Sequence, residues 1–177
     1  MHGSPATPAT LLPYGGAHKG FRWDRTEGGT ELPKTQDIRT LSYIGVVYPK
    51  DLDHMGHMNV SRYTAMFDEA TWVFFASRGI DRAYMEREQR GMAALTQESM
   101  YQKELFAGDV VEVRTVLIEV REKTLRFRHE MRLVATGELV ATSEMISAHL
   151  DRVARRACPF PPVLRTQLVA AVQPDEV

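Results

Sequence analysis

The sequence predicts an α+β fold, in which a five-stranded antiparallel sheet curls around one long buried helix. Between residues 61 and 78, apolar side chains recur at spacings of three and four, which is typical of a helix. After Gly91 the hydrophobic period falls to about two for roughly sixty residues. Turn signals interrupt that stretch at short intervals, which is typical of strands joined as hairpins.

The first half of the chain contains one strand candidate and the helix. The strand is predicted over residues 38–48 and leads through a polar turn into the helix at 61–78. Gly79 supplies the left-handed residue that ends the helix. The helix carries so few charges that we expect other elements to surround it on most sides. The charged link at 80–91 predicts a further short helical turn.

Four strands are predicted in the second half, with turn signals between them. They span residues 93–105, 110–120, 124–134 and 139–150. The third alternates most clearly, with one face formed by Leu125, Phe127, His129, Met131 and Leu133. We therefore expect this face to be buried and the other to meet solvent. His129 and Glu144 are interpreted as core or interface residues.

The composition indicates one folded domain with flexible ends. A chain of 177 residues with 44% hydrophobic content is long enough for a single core. Residues 1–37 are rich in Pro, Gly, Thr and Ala and predict an N-terminal extension, which either stays flexible or drapes onto the domain or a second subunit. The domain is assigned to residues 38–162. Residues 163–177 are predicted to form a C-terminal tail that includes a short helix at 163–172.

Charge and cysteine content exclude several classes of partner. A formal net charge of -1 gives no reason to expect nucleic acid or a membrane surface, since both favour a strongly basic face. The single cysteine, Cys158, cannot form an internal disulfide. The sequence has neither a secretory leader pattern nor an apolar run of about 20 residues. A cytoplasmic protein is therefore expected.

The polar turn before the helix concentrates the residues that can carry chemistry. Free N–H groups and the positive end of the helix dipole favour negative charge at such a position. Asp53 is the candidate for a chemical role, whereas Asp51 is interpreted as structural. His57 is either a buried imidazole bonded to the backbone or a participant, and Asn59 suits a helix cap. A metal held by His54 and His57 is not expected, because no further ligand cluster appears.

These residues resemble a known family. The run Asp51-Leu52-Asp53-His54-Met55-Gly56-His57-Met58-Asn59 matches every fixed position of Asp-x-Asp-x-x-Gly-His-x-Asn, the motif of the 4-hydroxybenzoyl-CoA thioesterase-like group. With Tyr63 after it and the order of elements, residues 38–162 resemble the hot-dog-fold thioesterases. Glu144, His149 and Asp151 are similar to the outline of a subgroup linked to carnitine and betaine breakdown.

The resemblance implies hydrolysis of an acyl-CoA thioester, with coenzyme A as part of the substrate and no other cofactor. It implies that Asp53 acts as general base or as nucleophile. The backbone N–H of Val60 would bind the oxyanion, and Gly56 would allow the thioester to approach closely. His57 and Asn59 would orient the water, the acyl carbonyl or Asp53.

Four further residues are candidates for substrate binding: Tyr63, Glu69, Arg126 and Arg128. Glu69 suits a branch of the fold that uses a carboxylate on the central helix, or it faces a partner subunit. The two arginines either meet the phosphates of coenzyme A or belong to a solvated strand face. Trp72 and Phe75 suit an aromatic or medium-length acyl tail, whereas an aromatic pocket could instead hold a quaternary ammonium by cation–π attraction.

Two other functions remain open at this point. A hot-dog hydratase or dehydratase is the enzymatic alternative, although its Asp-x4-His spacing is absent because only three residues separate Asp53 from His57. A non-enzymatic acyl-CoA-binding module is the other.

Because an open sheet edge invites pairing with a second copy, we expect a homodimer, or a homotetramer built as a dimer of dimers.

Overall fold

The structure is a computed structural model and describes residues 39–173. Its elements are β1 (Thr40–Val46), a 3-10 turn (Pro49–Asp51), α1 (Val60–Ser77), α2 (Arg82–Glu88), β2 (Arg90–Tyr101), β3 (Val110–Val120), β4 (Thr124–Leu133), β5 (Leu139–Asp151), β6 (Arg156–Ala157) and α3 (Pro162–Ala170). The predicted α+β class and order of elements are confirmed. The predicted N-terminal extension lies outside the described residues.

The five long strands form one antiparallel sheet in the order β1-β3-β4-β5-β2. The short strand β6 pairs with the end of β5 and was not predicted, because two residues carry no readable period. Strand β2 begins and ends three to four residues earlier than predicted, since residues 102–105 leave the sheet. The N–H groups of Gln102 and Lys103 both donate to the carbonyl of Val140 as the chain turns away.

Helix α1 packs on one face of this sheet through aromatic contacts. The ring centroids of Phe74 and Phe127 are 5.1 Å apart, and Phe67 stacks on His129 at 5.7 Å. The predicted apolar face of β4 is confirmed, because it meets the helix and is buried, except for partly buried Leu133. The other face was expected to meet solvent, but Glu130 is buried there and its neighbours are only half-buried. Among the described residues, no helix is both long and apolar enough to cross a bilayer.

The opposite side of α1 is open, which differs from the expectation that the helix is surrounded on most sides. Trp72 is 55% exposed and Val73 48% exposed. A single curled sheet covers only one side of a cylinder, so within residues 39–173 the far side of α1 stays uncovered. The C-terminal helix α3 does contribute to the core, since Leu164 and Leu168 are buried beside Phe75. It therefore packs into the domain, where the sequence suggested a tail.

A buried hydrogen-bond network crosses the centre of the core at His129. Its Nδ1 lies 2.7 Å from the hydroxyl of Thr115, which lies 2.6 Å from that of Ser42. The hydroxyl of Ser42 donates to the carbonyl of Thr40. On the other side of the ring, the hydroxyl of Thr71 lies 2.9 Å from Nε2 and donates to the carbonyl of Phe67 at 2.8 Å. Burial lowers the pKa of His129 from 6.5 to about 3.

This histidine makes the stability depend on pH. Its contribution is complete above pH 6.5 and is lost as the pH falls towards about 3, because only the unfolded state takes up the proton there. We expect this histidine to lower the free energy of unfolding in urea by about 1.4 kcal/mol in total between about pH 7.5 and about pH 5.5. In His129→Gln the fall in the free energy of unfolding over this range should be smaller by about 1.4 kcal/mol. An unchanged pH dependence in the variant would contradict the assignment.

Candidate active site

A short closed loop holds the two central residues of the motif opposite each other. Leu52 and Met58 pair as an isolated β-bridge, and the N–H of Asp53 donates to the carbonyl of His57 at 3.0 Å. The tip of the loop turns at Gly56, whose φ of +84° lies in the left-handed region that favours glycine. The backbone therefore places Asp53 and His57 side by side.

Asp51 anchors this loop to the helix. Its carboxylate is only 3% exposed, accepts the N–H of Tyr48 at 2.9 Å, and has Oδ1 2.9 Å from Nε of Arg62. The latter contact is an ion pair rather than an aligned hydrogen bond, because Nε–H does not point at the oxygen. The carbonyl of Asp51 also accepts the N–H of Asn59 at 2.9 Å. These contacts agree with a structural role for Asp51.

The start of α1 includes a capping side chain whose oxygen is already bonded and a backbone N–H that is available. Asn59 is the cap residue, and its Oδ1 accepts the N–H and the hydroxyl of Ser61 at 2.9 and 2.7 Å. Val60 is the first helical residue, and no acceptor within residues 39–173 bonds its N–H. The amide oxygen of Asn59 is therefore occupied, whereas the Val60 N–H is available to a ligand.

The carboxylate of Asp53 is held at one oxygen and free at the other. Oδ1 accepts the N–H of Met55 at 2.8 Å, and Oδ2 lies 3.7 Å from Nδ1 of His57. On the other side of the imidazole, Nε2 lies 3.7 Å from Oε1 of Glu104. Both separations are too long for direct hydrogen bonds. His57 thus stands between two carboxylates, with room for a small adjustment when a ligand binds.

A cavity of about 220 Å³ adjoins this pair at the helix start. It is lined by His57, Met58, Val60, Tyr63, Tyr101, Gln102, Lys103 and Glu104. Of the predicted site residues, His57, Val60 and Tyr63 meet here, with Asp53 behind the imidazole. Tyr101 and Glu104 were not predicted as site residues, because the hydrophobic period places both inside a regular strand. The early end of β2 turns residues 102–105 back towards the motif, where the carbonyl of Leu105 accepts the N–H of Met58 at 2.7 Å.

Tyr63 forms the floor of the cavity. Its side chain is buried, its hydroxyl donates to the carbonyl of Lys103 at 3.1 Å, and its ring meets that of Tyr101 edge to face at 5.1 Å. Burial raises the pKa of Tyr63 to about 12, so the phenol stays neutral. It supplies a fixed aromatic wall rather than a titrating group.

Three predicted substrate-binding residues lie elsewhere. Glu69 is exposed on α1 near Tyr43, whose pKa is raised by burial and by the Glu69 charge. Arg126 and Arg128 lie on the sheet face opposite α1, because strand alternation places them between the residues that meet the helix. There Arg126 donates to Glu144 at 2.6 Å. The structure therefore does not bring these three side chains to the motif.

The apolar candidates on α1 also lie away from the motif. Phe75 is buried in the core, and Trp72 lines a larger cavity of about 830 Å³ at the other end of the helix. Helical spacing shows that both belong to α1, but it cannot show which end of the helix adjoins the motif cavity. Neither residue lines the cavity beside Val60.

His149 and Asp151, near the end of β5, stabilise the turn between β5 and β6. His149 is fully buried, accepts the hydroxyl of Tyr84 at Nε2 (2.8 Å), and lies 3.1 Å from the carbonyl oxygens of Cys158 and Pro159. Asp151 accepts two backbone N–H groups of the following turn, at 2.9 and 2.8 Å. Within residues 39–173, no three His, Cys, Asp or Glu side chains converge as a metal site.

Comparison with protein families gives one match over most of the chain. The model of the thioesterase-like superfamily matches residues 47–168, which include the motif loop and all strands of the sheet except β1. A betainyl-CoA thioesterase of Pseudomonas aeruginosa is 29% identical over 119 residues, covering 67% of this chain and 75% of that protein.

An L-carnitine dehydrogenase/betainyl-CoA thioesterase of Agrobacterium fabrum is 34% identical over 119 residues. The match covers 66% of this chain but only 24% of that longer protein. Among solved structures, a Staphylococcus aureus protein in complex with CoA has a TM-score of 0.71 at 24% identity, covering 78% of this chain and 89% of that one. A 1,4-dihydroxy-2-naphthoyl-CoA thioesterase from Synechocystis has a TM-score of 0.63 at 15% identity, covering 73% and 95%. Both share the fold.

Proposed function

The chain belongs to the thioesterase-like superfamily and is a hot-dog-fold acyl-CoA thioesterase, and we propose that Asp53 and the start of α1 perform the hydrolysis. One observation carries this proposal. The free N–H of Val60 and the imidazole of His57 line the same small cavity, and Oδ2 of Asp53 lies 3.7 Å from that imidazole. A donor for developing negative charge and a carboxylate are thereby held together.

The proposed reaction uses the helix start as an oxyanion site. The thioester carbonyl oxygen accepts the Val60 N–H, where the helix dipole stabilises negative charge. Oδ2 of Asp53 either removes a proton from the attacking water or itself attacks the carbonyl carbon. As general base, Asp53 passes the proton of the water to the departing sulfur while a C–O bond forms and the C–S bond breaks. As nucleophile, it forms an anhydride as the C–S bond breaks, and water then hydrolyses the anhydride to the free acid and Asp53 and supplies the proton to the sulfur. Water is the only co-substrate, and we propose no further cofactor.

Other motif residues have supporting roles in this proposal. Gly56 gives the loop its left-handed turn, and nothing lies within 4 Å of the position that a side chain would occupy there. His57 orients Asp53 or the water from its position between the carboxylates. Asn59 acts mainly as the helix cap, since its amide oxygen is bonded to Ser61.

We also propose that the protein acts in the cytoplasm.

We also propose a homodimer that joins two sheets through β2, with a homotetramer as a pair of such dimers. Within the described residues β2 pairs only with β5, so its other edge is unpaired. Leu95 and Met100 on this strand are 58% and 60% exposed. A long apolar edge invites pairing with an identical strand.

A panel of acyl-CoA esters tests the activity. Purified protein is incubated with acetyl-, benzoyl-, 4-hydroxybenzoyl-, crotonyl- and betainyl-CoA, and free thiol is measured. We expect thiol release from at least one ester. Hydration of crotonyl-CoA without thiol release would instead favour the hydratase alternative, and binding without turnover would favour a non-enzymatic module.

A further inference from the structure

We propose that Glu104, together with Tyr63 and Tyr101, selects a small acyl group that carries a positive charge beside the thioester. This inference rests on the proposed function, because it assumes that the thioester carbonyl binds at the Val60 N–H. It assigns specificity to residues outside the motif, on the segment that follows β2.

The size of the cavity favours a small acyl group. Its volume of about 220 Å³ is below the roughly 300–1,000 Å³ that is usual for drug-sized ligands. The floor cannot deepen easily, because the Tyr63 side chain is buried and its hydroxyl is bonded to the Lys103 carbonyl. The cavity therefore ends at Tyr63, whereas its outer side is open at Tyr101, which is 43% exposed.

The walls of the cavity suit a cation. Tyr63 and Tyr101 are in edge-to-face contact, and Tyr101 remains 43% exposed. The face of a tyrosine ring attracts a positive charge through its quadrupole, and the attraction strengthens where water is excluded. A quaternary ammonium needs such contacts because it has no N–H to donate.

The charges around the cavity have the matching sign. Among the lining residues, Glu104 carries a negative charge and Lys103 a positive one. The ammonium of Lys103 is paired with the carboxylate of Glu138. The carboxylate of Glu104 faces Nε2 of His57, and that of Asp53 faces Nδ1. The carboxylate of Glu104 thus borders the space, that of Asp53 lies behind the imidazole, and the lysine of the lining is paired with Glu138. An acyl cation would be attracted here, whereas an acyl carboxylate would be repelled.

The position of these groups limits where the charge sits on the substrate. Glu104 and Val60 border the same cavity, so the carbonyl and the selected cation must lie close together. A charge at the end of a long chain would lie beyond this cavity. The chemistry therefore fits an acyl group with an ammonium on the carbon next to the carbonyl, as in betainyl-CoA.

A matched pair of esters tests this charge selection. Betainyl-CoA and 3,3-dimethylbutanoyl-CoA have the same shape and differ in one central atom, nitrogen or carbon, and hence in charge. We expect the wild type to prefer the cationic ester by about tenfold in kcat/KM. Glu104→Gln should lower kcat/KM for the cationic ester by about tenfold and leave that for the neutral ester within about twofold. Tyr101→Leu should also reduce the preference.

Glu98→Gln is the matched control, because Glu98 is an exposed carboxylate on β2 that does not line the cavity. It should leave both values unchanged. Equal hydrolysis of the two esters by the wild type would overturn the inference and leave the proposed function intact. An equal loss for both esters in Glu104→Gln would also overturn it, since Glu104 would then act only through His57. If neither ester nor any other member of the panel is hydrolysed, both proposals are overturned.

Discussion

Replacement of Asp53 by Asn is expected to lower kcat by about 10²- to 10⁴-fold, the usual contribution of a positioned general base. The amide has almost the same shape, and its oxygen can still accept the N–H of Met55, as Oδ1 does at 2.8 Å. The amide nitrogen that replaces Oδ2 can neither remove a proton nor attack a carbonyl. Thiol release from the best ester of the panel, followed under saturating conditions, measures this effect.

The matched control for this substitution is Asp68→Asn. Asp68 is exposed on α1, outside the cavity, so kcat should stay unchanged. Circular dichroism and thermal unfolding of the Asp53 variant should resemble those of the wild type, because its local backbone bonds are kept. Full hydrolysis by folded Asp53→Asn would show that this carboxylate is not the reactive group.

Single turnover in ¹⁸O-labelled water tests direct attack by Asp53, because only direct attack can leave the label on that residue. If Asp53 attacks directly, water resolves an anhydride at the aspartyl carbonyl or at the acyl carbonyl. Attack by water at the aspartyl carbonyl leaves the label on Asp53. If Asp53 acts as general base, all of the label appears in the released acid.

Replacement of Arg62 by Met is expected to lower the free energy of unfolding by about 3 kcal/mol, near the lower end for a buried pair that loses one partner. Asp51 would be left 97% buried without its counter-ion, although it would keep the N–H of Tyr48. Methionine retains most of the apolar stem, so the loss reflects charge rather than packing. Urea unfolding at neutral pH measures it.

Arg82→Met provides the matched comparison. The guanidinium of Arg82 is 91% exposed and pairs with Glu86 on the surface of α2. Such pairs contribute about 0.5 kcal/mol or less, so this variant should unfold almost as the wild type does. A loss in Arg62→Met no larger than that in Arg82→Met would show that Asp51 is not an electrostatic anchor of the motif loop.

The two acidic residues of the motif illustrate what sequence reasoning can separate. They are two positions apart, and the motif assigned chemistry to Asp53 and structure to Asp51. The structure places Asp51 in a buried ion pair and leaves Asp53 19% exposed, with one free oxygen. This placement agrees with the predicted division, while the catalytic assignment itself stays a proposal.

The charged and aromatic substrate contacts were not predictable in the same way. Arg126 and Arg128 carry the charge that phosphates require, yet their side chains lie on the far face of the sheet. Tyr101 and Glu104 looked like ordinary strand residues, yet they border the cavity. A pattern in one segment shows which side chains share a face, but not which distant segment that face meets.

The sequence by itself determined the helix, the alternation of the strands and the polar turn before the helix, because these depend on periodicity, turn residues and caps within short stretches. Only the tertiary structure decided where β2 leaves the sheet, which end of α1 borders the small cavity and which carboxylates flank His57. Those features join residues about forty positions apart. The free energy of packing and of hydrogen bonds between separate elements sets such contacts, and no local pattern in the chain records it.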